Sequence, residues 1–132
     1  VLNACPQLQK LNAGSWLALE FKTGDWADQY GKVWIICGPV VTDLTPTEWI
    51  GDPGEIKTAV PDAFFKIVVK ESCGTFDILA FLFSKDDEAG RKVNLEQYLT
   101  SVDHIEQLTG LDFLTDDSIM AELEGTVATE LW

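Results

Sequence analysis

"FFKIVVKESCGTFDILAFLFS", residues 64–84, decides the fold. Two apolar runs, 64–71 and 76–84, flank Ser72-Cys73-Gly74-Thr75. β-branched and aromatic residues crowd both runs, and Cys-Gly supplies the turn, so the stretch predicts an antiparallel hairpin. Upstream, "KVWIICGPVV" (32–41) is a short continuous apolar run closed by Gly-Pro. It predicts a further, fully buried strand, with Cys37 as a structural thiol. Cys73 falls in the hairpin turn and is expected to be exposed.

Helices lie on either side of this strand-rich middle. From Asn12 to Tyr30, Trp16, Leu17, Leu19, Trp26 and Ala27 form an apolar stripe, with Trp16 and Trp26 expected in the core. Thr23-Gly24 is expected to interrupt or weaken that helix, since Gly costs about 1 kcal/mol against Ala in a helix interior. Ser101 precedes "VDHIEQLTG", a second helix with Gly110 as its stop. Residues 45–63 are turn-rich and 85–94 are a polar loop; the tail 116–132 predicts a short amphipathic helix or two turns. The class is α+β, an antiparallel sheet flanked by helices, in a chain of 132 residues that suits one domain.

Composition narrows the function. With 22 Asp+Glu against 9 Lys+Arg the net charge is −13. Such a surface argues against broad adhesion to nucleic acid, yet permits a site that meets phosphate through a metal ion. Cys5, Cys37 and Cys73 have no metal-ligand spacing. No run is long or apolar enough for a membrane span. The acidic groups Asp86-Asp87-Glu88 and Asp116-Asp117 lack the alternating spacing of a calcium loop and read as solvated.

Asn12, Trp16, Glu20 and Gly24 lie four apart, on one drifting helical track. An amide oxygen and a carboxylate two turns apart can share a hard cation; Mg²⁺ keeps several waters and needs few protein ligands. From spacing alone, an N-capping Asn12 and a solvated Glu20 explain the same residues.

The ordered set Asn3, Gln7, Asn12, Trp16 and Glu20, followed by "VWIICGPV", "VPDAFFKIVV" and "SVDHIEQLTGLDFL", resembles the DNA/RNA non-specific endonucleases. These are the ββα-metal nucleases, and the resemblance runs from residue 3 to about residue 115. It implies hydrolysis of DNA and RNA backbones with one Mg²⁺, for which Mn²⁺ or Ca²⁺ can substitute. It makes Asn12 the direct metal ligand and Glu20 the residue that orients metal-bound water, with Asn3 and Gln7 as supporting amides. It also carries two departures. The family's general base belongs to an Asp-Arg-Gly-His motif that this sequence lacks, and Gly24 stands where the family carries a phosphate-binding Arg. Lys22 is near in sequence but two residues along a helix points elsewhere.

His104, the single histidine, reads as a solvated helical residue and not as a replacement base. The expectation is therefore the C-terminal part (1–132) of a single nuclease domain. Its partners would be DNA and RNA and a preceding segment carrying Asp-Arg-Gly-His, with secretion or a periplasmic location allowed and no membrane partner. Residues 1–132 alone should be poorly active. The alternative is a catalytically dead nucleic-acid- or protein-binding domain derived from the same fold.

Overall fold

The computed structural model describes residues 5–42, 46, 48–114 and 118–132, the side chains of 118–120 excepted. The chain runs α1 (Gln9–Asn12), α2 (Ser15–Tyr30), β1 (Val33–Val40), β2 (Trp49–Ile50), β3 (Thr58–Ala59), β4 (Ala63–Ser72) and β5 (Thr75–Ser84). A 3₁₀ turn (Leu95–Tyr98), β6 (Leu99–Thr100), α3 (Val102–Thr109) and α4 (Ser118–Glu124) follow.

The quoted stretch forms the expected hairpin. β4 and β5 pair antiparallel from Ala63↔Ser84 to Ser72↔Thr75, so the loop itself is only Cys73-Gly74. Both loop residues have positive φ, 53° and 79°, the backbone a two-residue turn needs to match the twist of its strands. The sheet order is β1-β4-β5-β6, all antiparallel. β2 and β3 form a separate two-stranded ribbon inside the turn-rich stretch.

β4 is covered on both faces, being buried continuously from Phe64 to Lys70. Phe64 and Val68 pack with Trp16, Leu19 and Trp26 of α2, while Phe65, Ile67 and Val69 pack with Val102 and Ile105 of α3. Alternation along the strand thus puts α2 and α3 on opposite faces of the sheet. Each fully buried side chain of this size contributes roughly 1.5–3 kcal/mol. Trp16 and Trp26 are core residues, as their stripe predicted.

Three expectations are corrected. The helix does not run unbroken from Asn12: α1 ends there and α2 begins at Ser15. The break falls at Gly14, where an added Cβ would lie 2.4 Å from the Lys10 carbonyl oxygen and 3.2 Å from Gly90 Cα. At Thr23-Gly24 the helix is continuous. The Thr23 hydroxyl donates back to the Glu20 carbonyl at 2.8 Å, and Gly24 faces open space. The third correction concerns β1, which is an edge strand with Trp34, Ile35 and Cys37 exposed. Cys37 is therefore a surface thiol, as is Cys73. An apolar run does not reveal whether its strand will be flanked on one side or two.

Ser101 caps α3 by accepting from the His104 amide at 3.2 Å, and Gly110 closes it in the left-handed conformation. Asp116-Asp117 lie outside the described residues. Among the described residues no helix is long and apolar enough to cross a membrane.

Candidate metal-binding and catalytic site

Of the predicted site residues, Gln7 leads into α1, Asn12 ends it and Glu20 lies on α2. Leu11 is fully buried and anchors α1, leaving its neighbour Asn12 exposed at the helix end. Asn12 is thus not an N-cap: its position is the last residue of α1, and Gly14 precedes α2 without a side-chain cap. Gln7 is half-buried in the lead-in to α1. Asn3 lies outside the described residues. Glu20 is exposed on α2, and its Oε1 accepts a 3.1 Å hydrogen bond from the Trp16 indole N–H.

The α1–α2 corner is braced by the polar loop that follows β5. Arg91 Nε donates to the Ala13 carbonyl at 2.9 Å. The Ser15 hydroxyl donates to Asp87 Oδ1 at 2.7 Å, and the Tyr98 phenol donates to Asp87 Oδ2 at 2.6 Å. Lys10 pairs with Glu88, and Lys85 bridges Asp86 and Glu48. The solvated reading of Asp86-Asp87-Glu88 is corrected here: half-buried Asp87 accepts from both sides and fixes the start of α2. Burial first, then the Asp87 hydrogen bond, pushes the Tyr98 phenol up to about 12; the Ser15 hydrogen bond opposes them and the Asp87 charge adds to them.

Beneath Glu20 stands a group that the motif did not single out. Lys66 of β4 is only 4% exposed, and its Nζ lies 4.3 Å from the centroid of the Trp16 ring. Burial pushes its ammonium down, while the charges of Glu20 and then Cys37, its register partner on β1, push it back up. The sequence carries only part of the signal: in "FFKIVVK" both lysines share the strand face of Phe64 and Val68, and the structure shows that this is the face that meets α2.

Hard cations take oxygen donors. Asn12 offers an amide oxygen and Glu20 a carboxylate, and among the described residues neither the Asn12 side chain nor Glu20 Oε2 has a hydrogen-bond partner. Also among these, no group of three or more His, Cys, Asp or Glu could enclose an ion. That excludes a closed zinc-type cage there but leaves room for Mg²⁺, which is bound through few protein oxygens. Gly24 faces open space, and Lys22 reaches toward Trp26, its Nζ 5.8 Å from that ring. His104 is on α3, across the sheet from Glu20, and cannot serve this site.

Comparison with known proteins agrees with the fold and the family resemblance. The DNA/RNA non-specific endonuclease family matches residues 1–118. Mitochondrial Endonuclease G of Homo sapiens is 29% identical over 119 residues, covering 85% of this chain and 39% of that protein. Mitochondrial nuclease EXOG of Danio rerio is 26% identical over 118 residues, covering 84% and 34% respectively. A chain in the crystal structure of the EndoG/EndoGI complex superposes with a TM-score of 0.65 at 19% identity, covering 84% of this chain and 48% of that one. The chain therefore spans less than half the length of these relatives. Its α+β architecture is that of the ββα-metal nucleases, and it belongs to the DNA/RNA non-specific endonuclease family.

Proposed function

We propose that these residues form the metal-binding half of a Mg²⁺-dependent endonuclease that hydrolyses phosphodiester bonds of DNA and RNA, Mn²⁺ or Ca²⁺ being able to replace Mg²⁺. The observation that carries this reading is the state of Glu20, exposed on α2 and held at one carboxylate oxygen by the Trp16 indole N–H while the other has no hydrogen-bond partner among the described residues. Asn12 contributes the direct ligand. Glu20 accepts a hydrogen bond from a water in the cation's hydration shell and so orients it. Gln7 and Asn3 support the lead-in. When bound, the cation supplies charge neutralisation at the phosphate and the departing oxygen.

The proton acceptor must come from elsewhere, because His104 is on the far side of the sheet. A preceding segment with Asp-Arg-Gly-His would provide it, making 1–132 the C-terminal part of one nuclease domain. Without a positioned base, hydrolysis loses about 10²–10⁴-fold, so 1–132 alone should cleave poorly. The blank phosphate position at Gly24 and the charge of −13 favour a second reading, a non-catalytic binding domain on the same fold.

Mn²⁺ titration separates the two. In the nuclease reading, paramagnetic broadening starts at the Asn12 side-chain amide and is lost in Asn12→Ala; uniform broadening, indifferent to Asn12, refutes it. Full Mg²⁺-dependent plasmid cleavage by 1–132 alone would refute the need for a second segment.

A further inference from the structure

We infer that Lys66 is a positioning residue for Glu20, acting through the indole of Trp16. The inference rests on the proposed role of Glu20 and adds a residue to it. Trp16 is held edge-on against Phe64 and Phe83, with centroids 6.0 and 5.6 Å away and interplanar angles of 67° and 74°. The ring plane is therefore fixed by packing. Its edge donates to Glu20 at 3.1 Å, and its face carries the Lys66 ammonium at 4.3 Å. A cation on the face of an indole draws electron density from the ring and makes the N–H a stronger donor. The buried ammonium also attracts the carboxylate directly. Both effects hold Glu20 back along α2, where an exposed glutamate would otherwise sample several rotamers.

Lys70 provides a contrast within the same strand. It lies on the same face, 4.2 and 4.4 Å from the Tyr30 and Trp132 rings, but pairs with its own carboxylate, Asp77, at 3.6 Å. Lys66 has no salt bridge among the described residues. The carboxylate acting on its charge is Glu20. If Lys66 only filled space, an unbranched apolar side chain would serve as well and would avoid burying a charge.

The test uses the folded 1–132 chain with Lys66→Met, which keeps the shape, and Lys66→Arg, which keeps the charge. The first readout is the Trp16 indole N–H resonance. It should move in Lys66→Met toward its position in Glu20→Ala and stay near the wild-type position in Lys66→Arg. The second is Mn²⁺ affinity, which should fall about tenfold in Lys66→Met, the usual scale for losing a group that orients a metal-site residue. It should be restored in Lys66→Arg. Removing a positive charge that merely sits near a cation would raise that affinity. An unmoved indole resonance, or an affinity that is unchanged or higher, overturns the inference. If the wild type binds no Mn²⁺, the nuclease reading fails, and the indole resonance alone decides for Lys66. If Lys66→Met does not fold, the Lys66 side-chain methylene shifts decide. They should be displaced by the indole ring current in the wild type and less so in Glu20→Ala; ordinary lysine shifts in the wild type overturn the inference.

Discussion

The indole N–H of Trp26 donates to the backbone carbonyl of Trp132, 3.2 Å away and 106 residues further along the chain. The two rings also pack at 5.1 Å between centroids, so the last residue closes the buried face of α2. Residues 119–132 lie beyond the span matched by the family, yet Ala128, Leu131 and Trp132 pack against the main core. Trp132→Ala should lower unfolding stability by about 2 kcal/mol, less than a fully buried tryptophan costs. Urea unfolding measures this, and a change below about 0.5 kcal/mol would mean that the tail does not brace α2.

Asp87 holds Ser15 and Tyr98 at once. Asp87→Ala should cost about 1–3 kcal/mol, because two part-buried hydroxyls lose their acceptor. It should also loosen the α1–α2 corner and, in the proposed nuclease site, weaken cation binding at Asn12. Unchanged hydrogen-exchange protection at the first α2 amides would count against this.

The same pair gives an alkaline signature. An unfolded tyrosine ionises near 10, while Tyr98 in the fold holds its proton to about 12. Its folded pKa is raised, so its stabilising contribution is complete below pH 10 and is lost as pH rises toward 12. Stability should decline across that window more steeply in the wild type than in Tyr98→Phe. Parallel profiles would disprove the assignment.

Glu124 follows the same sign in a lower pH window. Burial, then the charges of Glu106, Asp103 and Asp112, raise its pKa, and its Oε1 is buried without a partner among the described residues. Above that raised pKa the fold carries an unfavourable charge. Glu124→Gln should therefore be more stable than the wild type at pH 7, the difference vanishing in acid as the native carboxyl protonates. Thermal unfolding at pH 7 and pH 4 checks it; a variant less stable at pH 7 would contradict it.

Two glycines ten residues apart should respond in opposite directions. Gly14→Ala forces a Cβ onto the Lys10 carbonyl at 2.4 Å, so it should destabilise and displace Asn12. Gly24→Ala enters open space on a continuous helix and should stabilise by up to about 1 kcal/mol. Equal effects in a denaturant series would mean that the helix break is misplaced.

These glycines also show what the sequence discloses and what it withholds. The hairpin was readable because residue type, alternation and turn chemistry are local to 64–84. The break at Gly14 was not, because its cause includes the backbone of Gly90, supplied by a distant loop. Cys37 was misplaced because edge and centre strands share the same apolar composition; only the sheet order tells them apart. Asp87 looked solvated because its partner Ser15 is 72 residues away. Gln7, Asn12 and Glu20 came from an ordered motif, whereas Lys66 beneath Glu20 required knowing which face of β4 meets α2.

The bracing of the α1–α2 corner by Asp87 and Arg91 carries a consequence for biosynthesis. Asn12 and Glu20 leave the ribosome long before the residues that fix their geometry. At about 5–20 residues per second, some 70 further residues take roughly 4–14 s to follow. During that interval both side chains are unconstrained, so their placement arrives with the loop that follows β5 and not with the two helices that bear them.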